Sequence, residues 1–68
     1  MLNKELLASK IKERGYTLEN FAKELGINPA TLYRKMTGES DFTRAEIQTA
    51  KNILALDVNS AEAIFFAK

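Results

Sequence analysis

Tyr33, Arg34 and Lys35 stand side by side in a stretch, Leu25 to Gly38, that holds two basic residues and no acidic one. Such side chains recognise anions and nucleobase edges. An arginine can bond a guanine bidentately, a lysine can reach a phosphate, and a threonine hydroxyl or an alanine methyl can touch a thymine. Thr31 and Ala30 lie in the same stretch, Thr17 precedes it, and Thr43 and Arg44 follow it with another hydroxyl and cation. Covalent and acid–base chemistry has little to work with. The chain has no His and no Cys, which removes the commonest general base, the commonest metal ligand and the thiolate. There is no glycine-rich phosphate loop and no carboxylate pair at a useful helical spacing. Glu39 and Asp41 have no further ligands near them in sequence and read as solvated loop charges. No enzyme activity, no cofactor and no metal is expected.

Side chains of this kind need a frame, and the frame is written as punctuation. In four places a hydrophobic residue precedes a capping residue and an apolar residue follows five positions after the first: Leu2-Asn3-Leu7, Tyr16-Thr17-Phe21, Ile27-Asn28-Leu32 and Phe42-Thr43-Ile47. Each is a hydrophobic staple across a helix N-cap. Thr43 and Glu46 also form a capping-box pattern. Gly15, Gly26 and Gly38 stand where helices should stop, and Pro29 where one should start. This predicts helices at 4–14, 18–25, 29–36, 44–55 and 60–67 and no strand. Leu7 and Ile11 share one face, as do Leu18, Phe21, Ala22 and Leu25, then Leu32 and Met36, then Ile47, Ala50 and Leu54. With Leu32 inward, Tyr33 lies about 100° around the helix and faces out.

The expected architecture is one all-α domain over residues 1–68. A chain of 68 residues without disulfides must draw its stability from helix packing, caps or a partner chain. The net charge is only +1, so any nucleic-acid site depends on local placement: the tail from Asn52 to Ala67 carries two acidic residues and no basic one, opposite in sign to the 25–38 stretch. No apolar run approaches the roughly 20 residues of a membrane span, and the N-terminus lacks a signal-peptide pattern. No membrane partner is expected, and the default location is cytoplasmic.

The helices at 18–25 and 29–36 are joined by Gly26-Ile27-Asn28, a short connection with a glycine and an apolar plug, which is the form of a helix-turn-helix over residues 17–38. The stretch YTLENFAKELGINPATLYRKMTG resembles the helix-turn-helix of the phage repressor and Cro family, through Phe21-Ala22, Leu25-Gly26-Ile27, Leu32 and Gly38. The resemblance runs on through FTRAEIQTAKNIL, which is similar to that family's fourth helix. It implies a five-helix, lambda-repressor-like fold that binds operator DNA in the major groove and regulates transcription. Residues 28–35, from the DNA-binding Asn28 on, would form the start and outer face of the recognition helix, with Tyr33 and Arg34 outward into the groove, Thr31 or the Ala30 methyl on a thymine and Lys35 on a phosphate. Thr17, Thr43 and Arg44 would meet phosphates at helix N-termini. Some positions depart from that pattern. Leu18 stands where the family often has Gln, Pro29 and Ala30 where it often has base readers, and Lys35 where many members have an aliphatic residue. Direct readout is therefore thin.

Ile64, Phe65 and Phe66 are consecutive and span about 200° of a helix, more than one core face can hide. Either they close the core, or some of them contact a partner after Phe65 folds inward. Two partners follow from this. A homodimer would set two recognition helices about 34 Å apart on double-stranded DNA. Alternatively, the chain is an antirepressor that acts by binding a companion repressor protein, a reading favoured by the near-neutral charge, the poor readers at 29–30 and the apolar tail.

Overall fold

In the computed structural model, which describes residues 2–66, each helix begins on a side chain that accepts from a backbone N–H of its own first turn. Asn3 caps α1 (Lys4–Glu13), Thr17 caps α2 (Leu18–Leu25), Asn28 caps α3 (Pro29–Met36), Thr43 caps α4 (Arg44–Ile53) and Asp57 caps α5 (Val58–Phe65). The bonds run from 2.7 Å at Asn28 and Asp57 to 3.1 Å at the others. A cap of this kind contributes about 1 kcal/mol. No strand occurs among the described residues.

The last two helices differ from the sequence expectation at their junction. α4 stops at Ile53, before the expected 55, and α5 starts at Val58, before the expected 60. The stop is made by Ala55, which takes the left-handed conformation at φ 51° with no glycine to announce it, and Leu56 N–H then bonds back to the Lys51 carbonyl at 3.0 Å. The start is made by Asp57, whose carboxylate is held below its ordinary pKa by the Ser60 backbone N–H.

The core draws on all five helices. Phe21, Leu7, Ile11, Leu32, Leu54 and Ile64 are fully buried, with Ala22 and Ala50 between them. Burying a side chain of this size contributes about 1.5–3 kcal/mol. α2 is central: it packs on α1, α3 and α4, while α1 also packs on α5. Asn3 N–H donates to the Ile64 carbonyl at 2.7 Å, tying the start of α1 to the end of α5. Arg14 Nε donates to the Leu54 carbonyl at 3.1 Å and closes the open end of α4.

The core corrects two expectations. Leu18, assigned to the inward face of α2, is 44% exposed: it shares the stripe of Phe21, Ala22 and Leu25, but as the first residue of the helix it sits where that stripe runs past the core to the surface. Ile64 and Phe65, considered as partner contacts, belong to the core, with the Phe65 ring edge-on to Phe42 at 5.5 Å. Phe66 alone of the three is exposed.

No helix among the described residues is long and apolar enough to cross a membrane.

Candidate nucleic-acid interface

The helix pair is set by its turn. Gly26 takes φ 79°, a left-handed conformation that glycine adopts without steric cost, and Ile27 N–H bonds the Ala22 carbonyl at 3.0 Å. Half-buried Ile27 plugs the corner, and Ala22 is small enough to be wholly buried in the core. Asn28 Oδ1 then accepts from Thr31 N–H and starts α3, with Pro29 in the first turn, where its missing N–H costs nothing. The Asn28 amide nitrogen is not used by this cap.

α3 divides into two faces. Leu32, Lys35 and Met36 are buried, and Ala30, Tyr33, Arg34 and Thr37 are exposed, with Thr31 half-buried between them. Arg34 Nη2 lies 3.4 Å from Thr31 Oγ1, so a guanidinium and a hydroxyl share the outward face one turn apart. Beside them, Tyr33 and Leu18 line a shallow, mostly apolar cleft of about 260 Å³ with Ala8, Met36 and Thr37, edged by Lys4 and Glu5. The sequence reading did not foresee this cleft, because it placed Leu18 inside.

Lys35 is not where a phosphate contact should be. Its ammonium turns inward, 2.9 Å from Glu46 Oε1 and 2.9 Å from the Asp41 carbonyl, and 5.9 Å from the centre of the Phe42 ring. This side chain fills the place expected of an aliphatic residue, and its charge is already paired. The sequence carried one usable signal. A lysine between Leu32 and Met36 on an inward helical face needs an acidic partner, and Glu46 was already marked by its capping box.

Thr17, Thr43 and Arg44 are exposed at the first turns of α2 and α4. At α4 the capping box is complete: Glu46 N–H donates to Thr43 Oγ1 at 3.1 Å, and Thr43 N–H donates to Glu46 Oε1 at 2.8 Å. Burial raises the Glu46 pKa. The Thr43 N–H, the hydrogen bond and charge of Lys35 and the Thr43 hydroxyl together outweigh it, so the carboxyl titrates below its ordinary value of 4.5. A depressed carboxylate pKa stabilises the fold above the unfolded-state value, and that stability is lost as pH falls through the folded-state value. The melting temperature should therefore drop on acidification below 4.5, and drop less steeply in Glu46→Gln. Parallel thermal melts of the two proteins, followed by circular dichroism, check this, and equal slopes would remove Glu46 from the acid response.

Among the described residues no group of three or more acidic, His or Cys side chains is placed to hold a metal ion.

The family model described as "Bacterial regulatory protein, Fis family" matches residues 2–37, which hold α1, α2 and α3. No curated protein matches the chain. The family match corrects the resemblance to the phage repressor and Cro family. The residues that carried that resemblance, Phe21-Ala22, Leu25-Gly26-Ile27, Leu32 and Gly38, are those the turn and the helix crossing require, so they mark a helix-turn-helix without marking which kind. With its helix-turn-helix inside the matched residues, this chain belongs to the Fis family of bacterial regulatory proteins and is a helix-turn-helix DNA-binding domain.

Proposed function

We propose that the chain is a transcriptional regulator that reads a DNA site in the major groove through the outward face of α3. The observation that carries this reading is Arg34, exposed on the second helix of a helix-turn-helix with the Thr31 hydroxyl 3.4 Å away. Arg34 is the principal base reader. Ala30, Thr31 and Tyr33 supply methyl, hydroxyl and aromatic contacts beside it, and Asn28 offers its amide nitrogen at the start of the helix. Thr17, Thr43 and Arg44 anchor phosphates from the first turns of α2 and α4. The whole chain works as one unit, with α4 and α5 completing the core under α1–α3. Arg34→Ala should weaken binding to the preferred site by about 1–3 kcal/mol and relax its specificity. Fluorescence anisotropy on upstream DNA at two salt concentrations measures this, and unchanged affinity would take Arg34 out of the interface.

We also propose a second copy of the chain as the occupant of the groove between α4 and α5. Val58 and Phe66 lie along it, 67% and 62% exposed, with Lys51 and, at the helix start, Arg44 on the α4 side and Glu62 on the α5 side. An apolar strip with a basic and an acidic edge is complementary to itself under two-fold rotation, each Lys51 meeting the other copy's Glu62. The same exposed strip supports the reading as a modulator that binds a companion repressor. In the anisotropy experiment that reading shows as no binding alone and altered repressor occupancy when both proteins are present.

A further inference from the structure

α3 and α4 each pack on α2, and they share no comparable packing with one another. The segment between them, from Thr37 to Thr43, is exposed apart from half-buried Phe42. Across this gap runs one connected set of polar contacts. Lys35 Nζ, from the last turn of α3, donates to Glu46 Oε1 and to the Asp41 carbonyl, each at 2.9 Å. The same Glu46 oxygen accepts from Thr43 N–H at 2.8 Å. Both charged side chains are largely buried, at 10% and 15% exposure, and the Phe42 ring covers the ammonium.

From this geometry we infer that Lys35 and Glu46 are positioning residues for DNA recognition: their ion pair fixes α3 against the N-terminus of α4. The inference rests on the reading of α3 as base reader and of Thr43 and Arg44 as phosphate anchors. Lys35 stands next to Arg34 in the sequence, and Glu46 is bonded to Thr43, so the pair sets the spacing between the two kinds of contact. A buried ion pair suits this task. It contributes little net stability compared with an apolar pair of similar volume, but it tolerates few alternative alignments, because a displaced partner leaves a buried charge unpaired. Apolar side chains here would fill the space and allow the two elements to slide.

Two variants test the inference against the wild-type protein, with affinity for the preferred site and for random-sequence DNA measured across salt concentrations. The double variant Lys35→Met, Glu46→Leu should keep the helical circular dichroism and cooperative melting of the wild type. Its preference for the site should fall about tenfold, the size of one lost base-pair contact, with an unchanged salt slope. Glu46→Gln should lose preference in the same way. Wild-type preference in the apolar double variant would reduce the pair to packing and overturn the inference. So would tighter binding by Glu46→Gln with a salt slope steeper by about 0.9, because Lys35 would then be a phosphate contact that Glu46 restrains. Failure of the underlying DNA reading appears in the wild-type titration alone, as no binding, and overturns this inference with it. Failure of this inference by itself appears only in the variants.

Discussion

Phe21→Ala is expected to abolish cooperative folding at room temperature. The ring is fully buried on α2, the helix that packs on α1, α3 and α4, so its removal opens a cavity that no single neighbour can close. Truncations of this kind cost about 3–5 kcal/mol. A chain of 68 residues has only about 3–10 kcal/mol of total stability at typical per-residue values, so the loss takes most or all of it. Urea titration followed by circular dichroism should show a sharp transition in the wild type and a shallow, early loss of helix in the variant. A variant midpoint close to the wild-type value would mean that the helices hold together without α2 at their centre.

Ile64→Ala and Phe66→Ala should behave in opposite ways although the residues lie two apart. Ile64 is fully buried, so its truncation should cost about 2–5 kcal/mol of folding stability at any protein concentration. Phe66 is 62% exposed, so its truncation should leave the melting of dilute protein nearly unchanged. If a second copy occupies the α4–α5 groove, Phe66→Ala should weaken self-association. Sedimentation equilibrium and thermal melts over a concentration series separate the two effects. A concentration-dependent penalty at Ile64, or a concentration-independent loss at Phe66, would reverse these roles.

The legibility of the sequence tracks how local each physical requirement is. Asn3, Thr17, Asn28 and Thr43 were readable as caps because cap and staple lie within one turn of each other. Asp57 is the same device between Leu56 and Ala61, but alanine makes a faint staple, and the helix start was placed two residues late. The end of α4 was missed because Ala55 adopts a backbone conformation usually signalled by glycine. The inward turn of Lys35 depends on Glu46, across a loop whose path no local pattern fixes, so a lysine beside an arginine read as a second cation for DNA. Arg34 and Tyr33 were placed outward correctly, because Leu32 and Met36 determine the roll of the helix. The kind of helix-turn-helix is not legible for the converse reason: Phe21-Ala22, Leu25-Gly26-Ile27, Leu32 and Gly38 answer to the geometry of the turn, which many regulators share.

The bond between Asn3 and Ile64 bears on how the molecule is divided. It makes the order of helices a closed circuit: α5 leads back to α1, α1 leads to α2, and α2 supports both α3 and α4. The family match covers residues 2–37, yet Leu7 and Phe21 within it share one core with Ala50, Leu54 and Ile64 outside it. Cut at its boundary, the circuit opens, and the helix-turn-helix loses the wall it leans on.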